Sequence, residues 1–181
     1  MIPTLFTSTW IAAIAFGLLS VPFLMDRARW EPRVRSFLRS QTAAYITLGI
    51  GGAWFLFKIT QLKQVDFGDY KMLLFALFGV AWVGSFIWVK DFLAVRGSAV
   101  LGLLLCNVGL KSAYALYDIP ERLFLVTILY LVIVICLYLG TVPFKLRDFF
   151  DWLYAKSTGP KILGSIFAGI AIILAVVSFT Y

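Results

Sequence analysis

The chain contains no histidine, a single asparagine (Asn107) and two cysteines, and only 14% of its residues are charged. Without histidine it offers no imidazole to a haem iron or a metal ion, and none for acid–base catalysis. The thiols, Cys106 and Cys136, lack a CxxC partner. They are expected to pack as small side chains and do not report a redox compartment. Carboxylates are missing from the middle of every long apolar run, so an internal salt bridge or carboxylate proton relay has no members. No Asn-x-Ser/Thr sequon occurs, which is compatible with a bacterial plasma membrane.

Apolar sequence dominates what is there. Of the 181 residues, 62% are hydrophobic and the mean hydropathy is +0.95, well beyond a soluble domain, where about half the residues are apolar. A spanning helix needs roughly 20 mostly apolar residues. Six segments qualify: Leu5–Met25, Gln41–Thr60, Met72–Val89, Ser98–Tyr117, Leu123–Val142 and Ile162–Thr180. The predicted fold is therefore an all-α integral membrane bundle of six transmembrane helices in three hairpins. It forms a single domain over 1–181. The first run has its positive charges after it rather than before it, so it is expected to be an anchor helix and not a cleavable signal peptide.

Lys and Arg in short loops set orientation. Arg27, Arg29, Arg33, Arg35 and Arg39 follow the first run, Lys90 and Arg96 the third, and Lys145, Arg147, Lys156 and Lys161 the fifth. The other side has only Lys58, Lys63, Lys71, Lys111 and Arg122. The richer side is predicted to be cytoplasmic, which puts both termini outside. The net charge of +7 then reflects topology and not nucleic-acid binding. The turn Lys90-Asp91-Phe92-Leu93 is similar to Arg147-Asp148-Phe149-Phe150, a similarity that either an internal repeat or the positive-inside rule alone produces.

The third basic turn has amphipathic helical spacing near 146–155. Leu146, Phe149, Phe150 and Leu153 share one face, and Arg147, Asp148 and Asp151 point away. A short interfacial helix is expected there, with Trp152 and Tyr154 at headgroup depth. It either anchors the bundle or docks a partner or anionic lipid.

Span four carries the candidate contact site. Asn107 lies near its predicted centre, Lys111 follows one turn later, and Tyr114 continues the face. Lys111 is placed about six residues, or roughly 9 Å, from the outer end, within reach of the headgroups by snorkelling. The face therefore either serves packing and snorkelling or contacts a solute or anion. On span three, Phe75, Phe78, Trp82 and Phe86 form an aromatic ridge at helical spacing, suited to helix packing or to a hydrophobic partner. Ser165 and Gly169 on span six fit a small-xxx-small packing face. Outside the membrane, Asp118 and Glu121 have the spacing of a capping box for span five, and Asp69 precedes span three where an acid suits the helix dipole.

No nucleophile–base pair and no cofactor motif is present, so no cofactor is predicted. Two functions lead, with a lipid-active membrane enzyme using interfacial Asp or Lys side chains a distant third. One is a non-enzymatic scaffold, accessory or regulatory subunit of a membrane assembly. The other is a small oligomeric transporter or channel using the Asn107/Lys111/Tyr114 face, although its spans show little polar lining. The expected partners are the lipid bilayer, other membrane subunits or a second copy, and anionic lipid at the basic turns, with no nucleic acid. The expected location is a bacterial plasma (inner) membrane.

Overall fold

A computed structural model describes residues 4–89 and 91–181; the expectation for Lys90 lies outside the described residues. All regular structure among them is helical. Six helices are long and apolar enough to cross a membrane: α1 (Leu5–Leu24), α3 (Gln41–Thr60), α4 (Lys71–Trp88), α5 (Leu93–Ser112), α6 (Arg122–Thr141) and α8 (Gly159–Ser178). Two shorter helices, α2 (Arg27–Phe37) and α7 (Phe144–Ala155), lie in the first and third basic turns. Capping residues set the early boundaries. The side chains of Thr4, Asp26 and Ser40 accept hydrogen bonds from the first-turn amides of α1, α2 and α3, satisfying donors that have no partner inside the helix.

Five of the six spans match their predicted limits to within three residues at either end, whereas span four is displaced. The prediction began it at Ser98, treating Arg96 as a loop charge. In the structure α5 begins at Leu93 and ends at Ser112. Its first turn is held by buried Leu93, Ala94 and Val95, so Arg96 lies within the helix. At the other end Ala115 adopts a left-handed conformation (φ 62°), which stops the helix before Tyr117.

The spans joined by the basic turns are not the ones that pack most closely. α1 pairs antiparallel with α8, and α5 sits between α3 and α6. The α3–α5 crossing is close: a Cβ on Gly97 would lie 2.5 Å from the backbone nitrogen of Leu48. α4 is peripheral. It packs mainly on α3, and Gly84 is its only buried residue.

The three basic turns meet at one end of the bundle. Arg35 of α2 pairs with Asp151 of α7, Arg27 donates to the Tyr154 carbonyl, and Arg39 lies over the Phe92 ring. Phe23, Phe150, Leu153 and Tyr154 form the apolar floor beneath them. α7 is thus packed into the bundle along one face. Trp152 is exposed, whereas Tyr154 packs inward and is only 2% exposed. It is covered by the guanidinium groups of Arg27 and Arg35, 5.6 and 5.7 Å from its ring centre. Burial pushes its hydroxyl pKa up and keeps it neutral. At the opposite end, Thr9 and Tyr181 are within hydrogen-bonding distance (3.4 Å) and Trp10 meets Phe179 edge to face. The start of α1 and the end of α8 therefore lie together, away from the basic turns.

The expected Asp118/Glu121 capping box does not form, whereas Asp69 does precede α4. Glu121 occupies the cap position of α6 without a side-chain hydrogen bond, and Asp69 lies in a 3-10 turn (Gly68–Tyr70) before α4. The α5–α6 connection is closed instead by Arg122, which donates to the Ala113 carbonyl (2.6 Å) and lies over the Tyr117 ring.

Candidate functional site

Because α4 stands off from α5, the two helices form opposite walls of a groove whose floor is α3. Its volume is about 770 Å³, within the range of roughly 300–1,000 Å³ typical of ligand sites. The α5 wall is a single stripe at helical spacing: Val100, Leu103, Leu104, Asn107 and Lys111. α3 contributes Leu48, Gly52, Phe55 and Leu56, and α4 contributes Phe78, Ala81, Trp82 and Ser85. Polar groups gather at the end away from the basic turns. Lys58 and Gln61 come from the end of α3, Lys63 and Asp66 from the turn that follows, and Lys111 from the end of α5. None of Lys58, Lys63, Lys111 or Asp66 makes an ion pair among the described residues.

The structure brings together residues that the sequence placed in separate groups. Asn107 and Lys111 line the same groove as Phe78 and Trp82. Lys111 is the penultimate residue of α5 rather than six residues inside the span, and Asn107 is correspondingly closer to the helix end. Tyr114 does not join them. It lies beyond the end of α5, 78% exposed, outside the groove.

The aromatic ridge of α4 faces α3 over most of its length. Phe78 meets Phe55 edge to face (5.2 Å), Phe86 stacks on Tyr45 (5.4 Å), and Trp82 Nε1 donates to the Leu48 carbonyl (2.9 Å). Phe75 remains 40% exposed and lies outside the groove. Ser165 and Gly169 do not form the close face of α8. Ser165 is exposed, and a Cβ on Gly169 would meet nothing within 4 Å. The close approach is at Gly164, where a Cβ would come 2.8 Å from the Leu24 side chain of α1.

Sequence reasoning missed Lys58 and Lys63. Each is an ordinary basic residue near a helix end, and only the α3–α5 pairing sets them beside Lys111. A second cavity of about 350 Å³ shares Leu48, Ser85, Val100 and Leu103 with the groove and reaches Arg96 and Thr141. No protein-family model, curated protein or solved structure matches the chain.

Proposed function

We propose that this chain is a non-enzymatic accessory or regulatory subunit of a membrane assembly. It resides in a bacterial plasma membrane with both termini on the non-cytoplasmic side. The groove between α3, α4 and α5 is its working surface. The observation that carries this reading is the coincidence, in one groove, of the polar face of α5 and the loosely packed helix α4. A peripheral helix held mainly along one side can move to admit a ligand or another helix without disturbing α1, α5, α6 and α8. Orientation rests on the positive-inside rule, supported by the gathering of all three basic turns at one end.

The test is gentle extraction from the native membrane followed by identification of co-purifying polypeptides. Stoichiometric partners that are lost when Leu104→Trp fills the groove are the expected result. A lone chain with no partner in any mild detergent overturns it.

One observation favours the transporter reading as a second possibility. The groove and the neighbouring cavity share four lining residues, so together they run from Lys111 toward Arg96 along α5. Selective solute flux through the isolated chain in liposomes would establish that reading and displace the first.

A further inference from the structure

We infer that the groove holds one phospholipid with an acidic headgroup, drawn from the leaflet at the end of the bundle where both termini lie. The headgroup phosphate sits among Lys58, Lys63 and Lys111, and the acyl chains lie against the apolar wall of α5. This deepens the reading of the groove as the working surface but requires no partner protein.

Charge is the first argument. Three ammonium groups and one carboxylate, Asp66, border the same end of the groove, leaving an excess of positive charge with no ion pair among the described residues. Lysines near helix ends ordinarily snorkel to whatever headgroups lie nearby. These three come from three separate segments and converge over one apolar groove. Lysine suits a phosphate as a mobile point charge that need not match a fixed fork geometry.

Length is the second argument. From Lys111 to Val100 the α5 wall covers eleven residues, about 16 Å at 1.5 Å per residue. That is half of a hydrocarbon core about 30 Å thick, or one leaflet. Polarity also falls in the right order along this wall. Lys111 stands at the mouth, Asn107 one turn deeper at the level of glycerol and ester oxygens, and Leu104, Leu103 and Val100 below. On the facing wall Trp82 ties α4 to α3 through the Leu48 carbonyl.

Native mass spectrometry of the full chain in mild detergent tests this, with phosphatidylglycerol or phosphatidylcholine of identical acyl chains added. A single phosphatidylglycerol adduct should form at a lipid concentration about tenfold lower than the phosphatidylcholine adduct, because both lipids offer a phosphate to the lysines but the choline cation of phosphatidylcholine is repelled by them. The triple variant Lys58→Gln, Lys63→Gln, Lys111→Gln should lose that preference. A control with the same change in net charge (Lys71→Gln, Lys156→Gln, Lys161→Gln) should keep it. Leu104→Trp, which fills the apolar wall, should lose both adducts.

Equal binding of the two lipids, or a preference that survives the groove triple or disappears equally in the control, overturns the inference. So does displacement of phosphatidylglycerol by millimolar inorganic phosphate, which would make the site a free-anion site. A chain that selects phosphatidylglycerol but co-purifies with no polypeptide refutes the accessory-subunit reading and leaves this one standing. Partners without headgroup selectivity do the reverse.

Discussion

The indole of Trp82 occupies the space that a side chain at Gly52 would fill. A Cβ on Gly52 would lie 2.1 Å from Trp82 Nε1, and the same nitrogen donates to the Leu48 carbonyl 2.9 Å away. Trp82 sits well inside α4, whereas tryptophan normally favours the membrane interface. Its N–H would be costly there without an acceptor. The missing side chain at Gly52 lets the ring come close enough to reach a backbone carbonyl one turn earlier on α3. The pair thus pins α4 to α3, together with the Phe78–Phe55 and Phe86–Tyr45 contacts.

Gly52→Ala should therefore loosen α4 more than a conservative change in the indole itself. The added methyl forces the ring out of place, and such overpacking typically costs about 1–3 kcal/mol. Trp82→Phe loses the hydrogen bond, typically about 0.6 kcal/mol between membrane helices, and vacates the Gly52 notch now filled by the pyrrole edge of the indole, without forcing α4 outward. Thermal unfolding in detergent should rank the variants wild type, Trp82→Phe, Gly52→Ala in falling stability. The double variant Gly52→Ala/Trp82→Ala should lose less than the sum of its parts, because the methyl no longer meets an indole.

On α8 two glycines should respond in opposite ways. A methyl at Gly164 would press on the side chain and backbone of Leu24, so Gly164→Ala should destabilise the α1–α8 pair by about 1–3 kcal/mol. At Gly169 a methyl meets open space, so Gly169→Ala should be neutral or mildly stabilising, since alanine favours helix by up to about 1 kcal/mol. Equal losses at both positions would mean that α8 does not meet α1 through the Gly164 face.

That contrast marks where the sequence stops being legible. Span number and most boundaries follow from runs of about 20 apolar residues, and α7 follows from the 3.6-residue spacing of Leu146, Phe150 and Leu153. Rotation of a span about its own axis does not follow. On α8 the small residues Gly164, Ala168, Ala171, Ala175 and Ser178 recur at helical spacing, but so do Ser165 and Gly169 on a neighbouring face, and spacing alone does not say which stripe meets α1. Span four is displaced because Arg96 reads as a loop charge, although a long side chain can bury its stem while its helix continues. The groove was half legible. Asn107 and Lys111 stand out by type, but Lys58 and Lys63 acquire meaning only through a contact between helices distant in sequence. Tyr154 is a similar case, since the guanidinium groups that cover it belong to α2.

Topology gives a direct test of the proposed orientation. A reporter active only in the cytoplasm should be silent when fused after Tyr181 and active when inserted in the turn near Lys156. Removing positive charge from the first turn, through Arg29→Gln and Arg33→Gln, should weaken the orientation bias without breaking the α2–α7 contacts, which use Arg27 and Arg35. Activity at the C-terminal fusion in the unmodified chain would invert the assignment and place the lysine end of the groove in the cytoplasmic leaflet.

The junction of α2 with α7 should weaken in acid, and Glu31 sets the range. Its carboxylate accepts hydrogen bonds from Arg27 (2.9 Å) and Arg35 (3.1 Å), and Arg35 also reaches Asp151 on α7. The Arg27 hydrogen bond, with help from Arg35, holds the Glu31 pKa below its ordinary 4.5. A carboxylate with a lowered folded-state pKa stabilises the fold fully above its unfolded value, and that contribution disappears as pH falls through the folded value. Glu31→Gln should thus melt below the wild type at neutral pH by a margin that is constant down to roughly pH 5. The two curves should then converge as Glu31 itself becomes protonated. The margin should be small, because exposed ion pairs contribute about 0–1 kcal/mol and are screened by salt. A margin that widens in acid would mean that Glu31 is not the group holding the two arginines over Tyr154.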